Sequence, residues 1–193
     1  MKSNFFAFTT SRNPTRRMRS FVRELSRSIP FSFYINRGHQ SLFNVAIDAK
    51  VSQAERLMVC SGYKGNPGKL TFYSLTDDFH KYPIEFQILG VTLYREKLPN
   101  TKMETQLTNL RLSIDKNVDS LLREFLEEFL KPVIITEKSI NKDMKSNIGL
   151  VSLSHVGEKK IEMKIELQET KKLNSPIVRF KLLLNPKSKD QVQ

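Results

Sequence analysis

The chain has 193 residues, 39% of them hydrophobic, enough to bury a core in one domain or two small halves and too many for a disordered tail. Its 32 Lys and Arg against 20 Asp and Glu give a net charge of +12 and a pI near 9.8, which favours a polyanionic partner such as nucleic acid or an acidic membrane surface. One cysteine, Cys60, excludes an internal disulfide, and no run approaches the roughly 20 apolar residues that a membrane span needs.

Phe5 to Thr9 reads as a strand, and its apolar part is too short for a signal peptide, so a soluble, intracellular protein is expected. Asn13-Pro14 marks a helix entry, with Asn as cap and Pro at the first helical position, and predicts a helix over about 14–28. Phe33 to Asn36 is a short strand, Ser41 caps a second helix to about Val51, and Arg56 to Ser61 is a buried strand. The run from Tyr63 to Gly68 is a Gly- and Pro-bearing turn into a strand over Lys69 to Leu75, followed by a long strand over Ile84 to Tyr94.

Around Lys97 to Gln106 the apolar pattern lapses, which places a boundary between halves 1–98 and 99–193 of one domain. The second half begins with a strand near Leu107 to Ile114, a helix from about Val118 to Lys131 and a strand at Val133 to Thr136. A polar loop through Ser146 leads to three more strands. Ile161, Met163, Ile165 and Leu167 alternate with Glu162, Lys164 and Glu166, and Val178, Phe180, Leu182 and Leu184 keep the same period of two. The predicted class is α/β with a mixed α+β sheet, in two similar tandem halves that each run strand, helix, strand, hairpin.

Residues 1–40 hold Lys2, Arg12, Arg16, Arg17, Arg19, Arg23, Arg27 and Arg37 against the single acid Glu24, a balance of +7. On a helical wheel with Met18 at zero, Phe21, Val22, Leu25 and Ile29 form one apolar stripe, between about 300° and 40°. Arg12, Arg16, Arg19, Arg23 and Arg27 form a second stripe, between about 100° and 180°. A solvated face held by ion pairs four residues apart is the plain alternative, but Glu24 alone cannot pair with five or six arginines. Arginine's planar fork binds phosphate bidentately and stacks on exposed bases, which points to RNA.

The turn between Lys64 and Lys69 either cradles a phosphate with its amides or is a plain hairpin, and it lacks the Gly-Lys-Ser/Thr ending of a nucleotide loop. Leu121, Leu122, Phe125, Leu126, Phe129 and Leu130 lie opposite Glu124, Glu127 and Glu128, as core packing requires, with a groove for a partner helix as the sharper option. His39, His80 and His155 have no metal-ligand spacing, Cys60 has no nucleophile motif, and Asp77-Asp78 reads as loop decoration. No catalytic residue, metal or cofactor is expected.

The run Phe8-Thr9-Thr10-Ser11-Arg12-Asn13-Pro14-Thr15-Arg16-Arg17-Met18-Arg19-Ser20-Phe21, with Ile29-Pro30 and Tyr34-Ile35-Asn36-Arg37-Gly38 beyond it, resembles the opening of a Brix domain. Gly65-Asn66-Pro67-Gly68-Lys69-Leu70, then Phe72-Tyr73 and the strand through Tyr94, resemble the compact archaeal members of that family. After about residue 100 the resemblance rests on length and strand–helix order. It implies a non-enzymatic ribosome-biogenesis factor that binds ribosomal RNA or its precursor and assists RNA folding or pairing. Each half would be related to the anticodon-binding domain of class II aminoacyl-tRNA synthetases. The residues expected to bind RNA are Arg12, Arg16, Arg17, Arg19, Arg23, Arg27, Arg37, Lys64 and Lys69. Other ribosome-assembly proteins are further expected partners, with no membrane or small-molecule substrate. The resemblance also implies a cytoplasmic site in an archaeon, nucleolar in a eukaryote. A protein-interaction module of a ribonucleoprotein is the second reading, and a small RNA-modifying or RNA-cleaving enzyme the weakest.

Overall fold

The computed structural model of the protein describes residues 5–76, 79–103, 107–135 and 147–184. The chain runs β1 (Phe6–Thr10), α1 (Arg16–Ser28), β2 (Ser32–Tyr34), α2 (Leu42–Val51), β3 (Arg56–Tyr63), β4 (Asn66–Ser74) and β5 (His80–Thr92). It continues through α3 (Tyr94–Lys97), β6 (Asn109–Ile114), α4 (Ser120–Phe129), β7 (Ile148–Gly157), β8 (Lys160–Leu167) and β9 (Ile177–Leu184). All nine strands form one sheet in the order β2-β1-β3-β4-β5-β9-β8-β7-β6. β1 lies parallel to β2 and β3, and β6 to β7, pairings that need crossovers, while the remaining neighbours are antiparallel.

Burial explains which strands alternate and which do not. β1 is buried along its whole length because Phe6 and Phe8 face the core shared with α1 and α4, while Ala7 faces Val45, Ala46 and Ala49 of α2. β8 and the first part of β9 keep a period of two because Ile161, Ile165, Val178 and Phe180 bury one face in the α1/α4 core and their neighbours point away, whereas Leu184, expected on that face, is exposed at the strand's end. At the junction of β5 and β9, Phe86 and Phe180 stack with ring centroids 4.2 Å apart. Phe72 forms edge-on contacts with Phe86, Phe125 and Phe129, tying β4 and β5 to α4.

Several boundaries differ from the sequence reading, each for a local reason. Asn13 adopts φ 53°, a left-handed conformation that Asn tolerates, so Asn13-Pro14 forms a bend and does not cap the helix. Thr15 is the cap, its Oγ1 accepting from Met18 N at 3.3 Å, and Arg12 therefore lies off the helix. Ser41 caps α2 as expected, accepting from Asn44 N at 3.1 Å. The turn is tighter than Tyr63 to Gly68: only Lys64 and Gly65 lie between the paired residues Tyr63 and Asn66, with φ of 47° and 80°. Two positive φ values are the requirement of a type I′ hairpin. A Cβ on Gly68 would sit 2.6 Å from that of Tyr63, so β4 passes its partner only with glycine there.

β5 ends at Thr92, and Tyr94 enters the helical turn α3, which the strand pattern had not indicated. That turn is held by Glu96 Oε2, which accepts from Leu93 N at 2.9 Å. The expected strand at Val133 to Thr136 reduces to one parallel bridge between Leu110 and Ile134; Thr136 lies outside the described residues. Lys2, the Asp77-Asp78 pair and most of the polar loop through Ser146 also lie outside them.

Candidate nucleic-acid interface

Met18, Phe21, Val22 and Leu25 of α1 are buried in the core, so the helix is fixed in rotation and its opposite face must point outward. Arg16, Arg23 and Arg27 are exposed on that face and Arg19 is half-buried beside them. Arg19 Nη1 donates to Pro14 O at 2.9 Å, and the Arg23 guanidinium sits 5.1 Å from the centroid of the Tyr34 ring. Among the described residues none of these four arginines has a carboxylate partner.

The acid that could have neutralised them is buried and engaged by a backbone amide. Glu24 is 8% exposed, and its Oε2 accepts from Tyr94 N at 2.7 Å, on the flank of α1 that faces the connection after β5. Burial raises its pKa above the ordinary 4.5, against the opposing pull of the Tyr94 amide and the Arg95 charge. The stability linked to this group is therefore complete below the unfolded value and lost as pH rises through the folded one. Glu24→Gln keeps an acceptor oxygen without the charge, so the variant should gain on the wild type in thermal melts as pH goes from acidic to neutral. A difference between the two proteins that is independent of pH would contradict the buried placement.

Arg17, also expected to bind RNA, lies off the stripe. Its guanidinium grips the Glu96 carboxylate with both terminal nitrogens and donates to Val91 O at 3.0 Å, tying α1 to β5 and α3. Arg37 donates through Nε to Gln40 O at 3.1 Å, and its pKa is lowered by burial and then by the charge of Arg12, which places two cations near one another. Lys64, at the tip of the β3–β4 hairpin, is brought to the start of α1, because Thr15 Oγ1 donates to Gly65 O at 2.8 Å while capping the helix. Lys69 is not brought there. It alternates with the core residues Leu70 and Phe72, so it points to the opposite face of the sheet, where its Nζ lies 3.1 Å from Glu85 Oε1. Lys81 sits 2.7 Å from the same oxygen; burial pushes the pKa of Glu85 up, but its bonds and charge contacts with the two lysines outweigh that and leave it lowered.

Elsewhere the described residues offer little chemistry. Burial pushes the Cys60 thiol up to about 12, far from the range of a nucleophile. No group of three or more His, Cys, Asp and Glu among the described residues could hold a metal ion, and none of their helices is long and apolar enough to cross a membrane. Leu122, Phe125, Leu126 and Phe129 of α4 are buried in the core and its glutamates face outward. What the sequence reading missed is the exposed apolar face of α2, where Phe43, Ile47 and Val51 are 61%, 46% and 79% exposed at a spacing of four residues. It also missed Arg95 and Lys102, which stand across from Arg23 and Arg27.

No family model matches the chain. A probable Brix domain-containing ribosomal biogenesis protein of Sulfurisphaera tokodaii is 31% identical over 176 residues, 91% of this chain and 90% of that protein. One of the same name from Aeropyrum pernix is 40% identical over 90 residues, 46% of this chain, and the match spans only 50% of that relative's length. The crystal structure of a probable ribosomal biogenesis protein from Aeropyrum pernix K1 superimposes with a TM-score of 0.75 at 22% identity, covering 96% of this chain and 98% of that one, and so shares the fold.

Proposed function

Because the chain belongs to the Brix domain-containing ribosomal biogenesis proteins, we propose that it is a non-enzymatic assembly factor that binds ribosomal RNA or its precursor through the arginine face of α1. The observation that carries this reading is the orientation of α1: Arg16, Arg19, Arg23 and Arg27 face outward together, and the one acid of the first forty residues is buried and bonded to the Tyr94 amide. Such a face repels itself until an external polyanion covers it. Arg12, Arg37 and Lys64 extend the surface, whereas Arg17 and Lys69, each tied to a glutamate, contribute less. By holding a strand at its phosphates the protein would leave the bases free to fold or pair.

The sheet order supports reading 1–98 and 99–193 as two halves of one domain, each akin to the anticodon-binding domain of class II synthetases. On either side of the β5/β9 junction come an antiparallel hairpin and then a parallel pair with its crossover helix. Archaeal relatives point to action in the cytoplasm of an archaeal cell. Titration of a labelled single-stranded ribosomal RNA fragment at several salt concentrations tests the RNA reading. Three to five phosphate contacts give a log–log slope of roughly −2 to −3.5, at about 0.7 per phosphate; a flat salt dependence, or no saturable binding, would overturn it.

The exposed stripe of Phe43, Ile47 and Val51 favours a second reading, in which α2 seats another ribosome-assembly protein. Capture that survives nuclease treatment and is lost in Phe43→Ser/Ile47→Ser separates protein contact from RNA contact.

A further inference from the structure

Between α1 and the connection that follows β5 lies a cleft of about 600 Å³. One wall carries Ser20, Arg23 and Arg27, the other Arg95, Lys102 and Met103. Glu24 and Tyr94 also line it, both buried, at 8% and 5% exposure. Four cations from segments about seventy residues apart in the chain thus meet in one concavity; none of them forms a salt bridge among the described residues, although the Arg95 charge is near enough to Glu24 and Glu96 to favour their ionised forms.

The walls are held in place by two ties. Glu24 accepts from Tyr94 N at 2.7 Å, and Arg17 grips Glu96 while donating to Val91 O. The cleft is therefore formed before any ligand arrives, and the Glu24 charge is engaged by the backbone at its base. A concave site walled by low-dielectric protein focuses the field of its cations. Guanidinium forks on facing walls suit the tetrahedral oxygens of a phosphate better than a single carboxylate. Arg23 and Arg27 share a face of α1 with Arg16 and Arg19, so a phosphate held here would be one of a chain of phosphates. A slot between two elements admits one strand, whereas a duplex is a broad rod whose phosphates would ride over the rims.

We propose that this cleft is a single-strand RNA subsite in which Arg95 and Lys102 grip the backbone from across Arg23 and Arg27. It rests on the RNA-binding reading of α1 and adds to it the connection between the two halves.

The test is Arg95→Ala/Lys102→Ala, two exposed side chains that make no hydrogen bond in either tie, with circular dichroism to check the fold. Anisotropy is measured with a labelled single-stranded ribosomal RNA fragment and with the duplex of the same sequence. Loss of two contacts should weaken single-strand binding roughly 25-fold near 0.1 M salt and flatten the slope by about 1.4, at about 0.7 per phosphate, with a smaller change for the duplex. Lys102→Glu alone should move binding in the same direction. Unchanged affinity and slope in the double variant, alongside weakened binding in Arg16→Ala/Arg19→Ala, would overturn the subsite and leave the helix reading standing. If neither variant changes RNA binding, both fall. Equal losses on single strand and duplex would overturn the single-strand assignment. A titration with inorganic phosphate that saturates in the wild type and not in the double variant, with RNA affinity untouched, would mark a small-anion site and overturn the proposal.

Discussion

Phe72→Ala is expected to lower the unfolding free energy by about 4 kcal/mol, the middle of the range for loss of a buried ring, and with it the Tm by roughly 8–16 °C. The ring is 3% exposed, and its centroid lies 4.8, 4.9 and 5.1 Å from those of Phe86, Phe125 and Phe129. Truncation removes the ring's transfer energy, three edge-on aromatic contacts and the filling between β4, β5 and α4. Because Phe125 and Phe129 belong to α4, beyond the connection, the destabilisation should appear in one transition for the whole described sheet. Val51→Ala, at a site 79% exposed, should change stability by no more than about 0.5 kcal/mol. Equilibrium unfolding in urea reads both; a Phe72→Ala loss below about 1 kcal/mol would mean that the aromatic cluster is not the centre of the core.

Arg16→Ala/Arg19→Ala/Arg23→Ala is expected to weaken single-stranded ribosomal RNA binding roughly a hundredfold near 0.1 M salt. Each lost phosphate contact removes about 0.7 from the log–log slope, and three together remove about two powers of ten at that concentration. The fold should survive, because the three side chains lie opposite Met18, Phe21, Val22 and Leu25, and Ala raises helix propensity slightly. Arg19 gives up one bond to Pro14 O and Arg23 its contact with Tyr34, each worth about 1 kcal/mol or less at a surface.

Much of this site was legible in the chain. The two stripes of α1 follow from a period of 3.6, and the wheel puts Arg17 at about 260°, beside the apolar stripe, and Glu24 at about 240°, midway between the two. Those angles already separated them from Arg16 and Arg23. Their partners could not be read, because Tyr94 and Glu96 stand about seventy residues further along and meet α1 only once the sheet has formed. The cap shows the same limit. Asn13 and Thr15 both have cap-forming side chains, and what distinguishes Thr15 is a hydroxyl that reaches Gly65 in a hairpin fifty residues away.

Strands β8 and β9 were legible because each buries one face, and β1, buried on both and without alternation, was legible from its continuous apolar run. Lys69 was expected among the RNA-binding residues beside Lys64. Alternation from Leu70 turns it to the far face and into the grasp of Glu85, a cross-strand partner sixteen positions away. The cations Arg95 and Lys102 carry no local pattern at all, and only the packing of α3 on α1 brings them to Arg23 and Arg27.

The central claim is that a particular face of α1, and not the overall charge, holds the RNA. The most direct measurement titrates one labelled single-stranded ribosomal RNA fragment with the wild type, Arg16→Ala/Arg19→Ala/Arg23→Ala and Glu124→Gln/Glu127→Gln/Glu128→Gln, across several salt concentrations. Both variants change the net charge by three units, on α1 and on α4 respectively. The account predicts a roughly hundredfold loss and a slope flatter by about two for the arginine variant, with the glutamine variant within a few-fold of the wild type. Opposite shifts of equal size in the two variants, or an arginine variant that binds like the wild type, would contradict it.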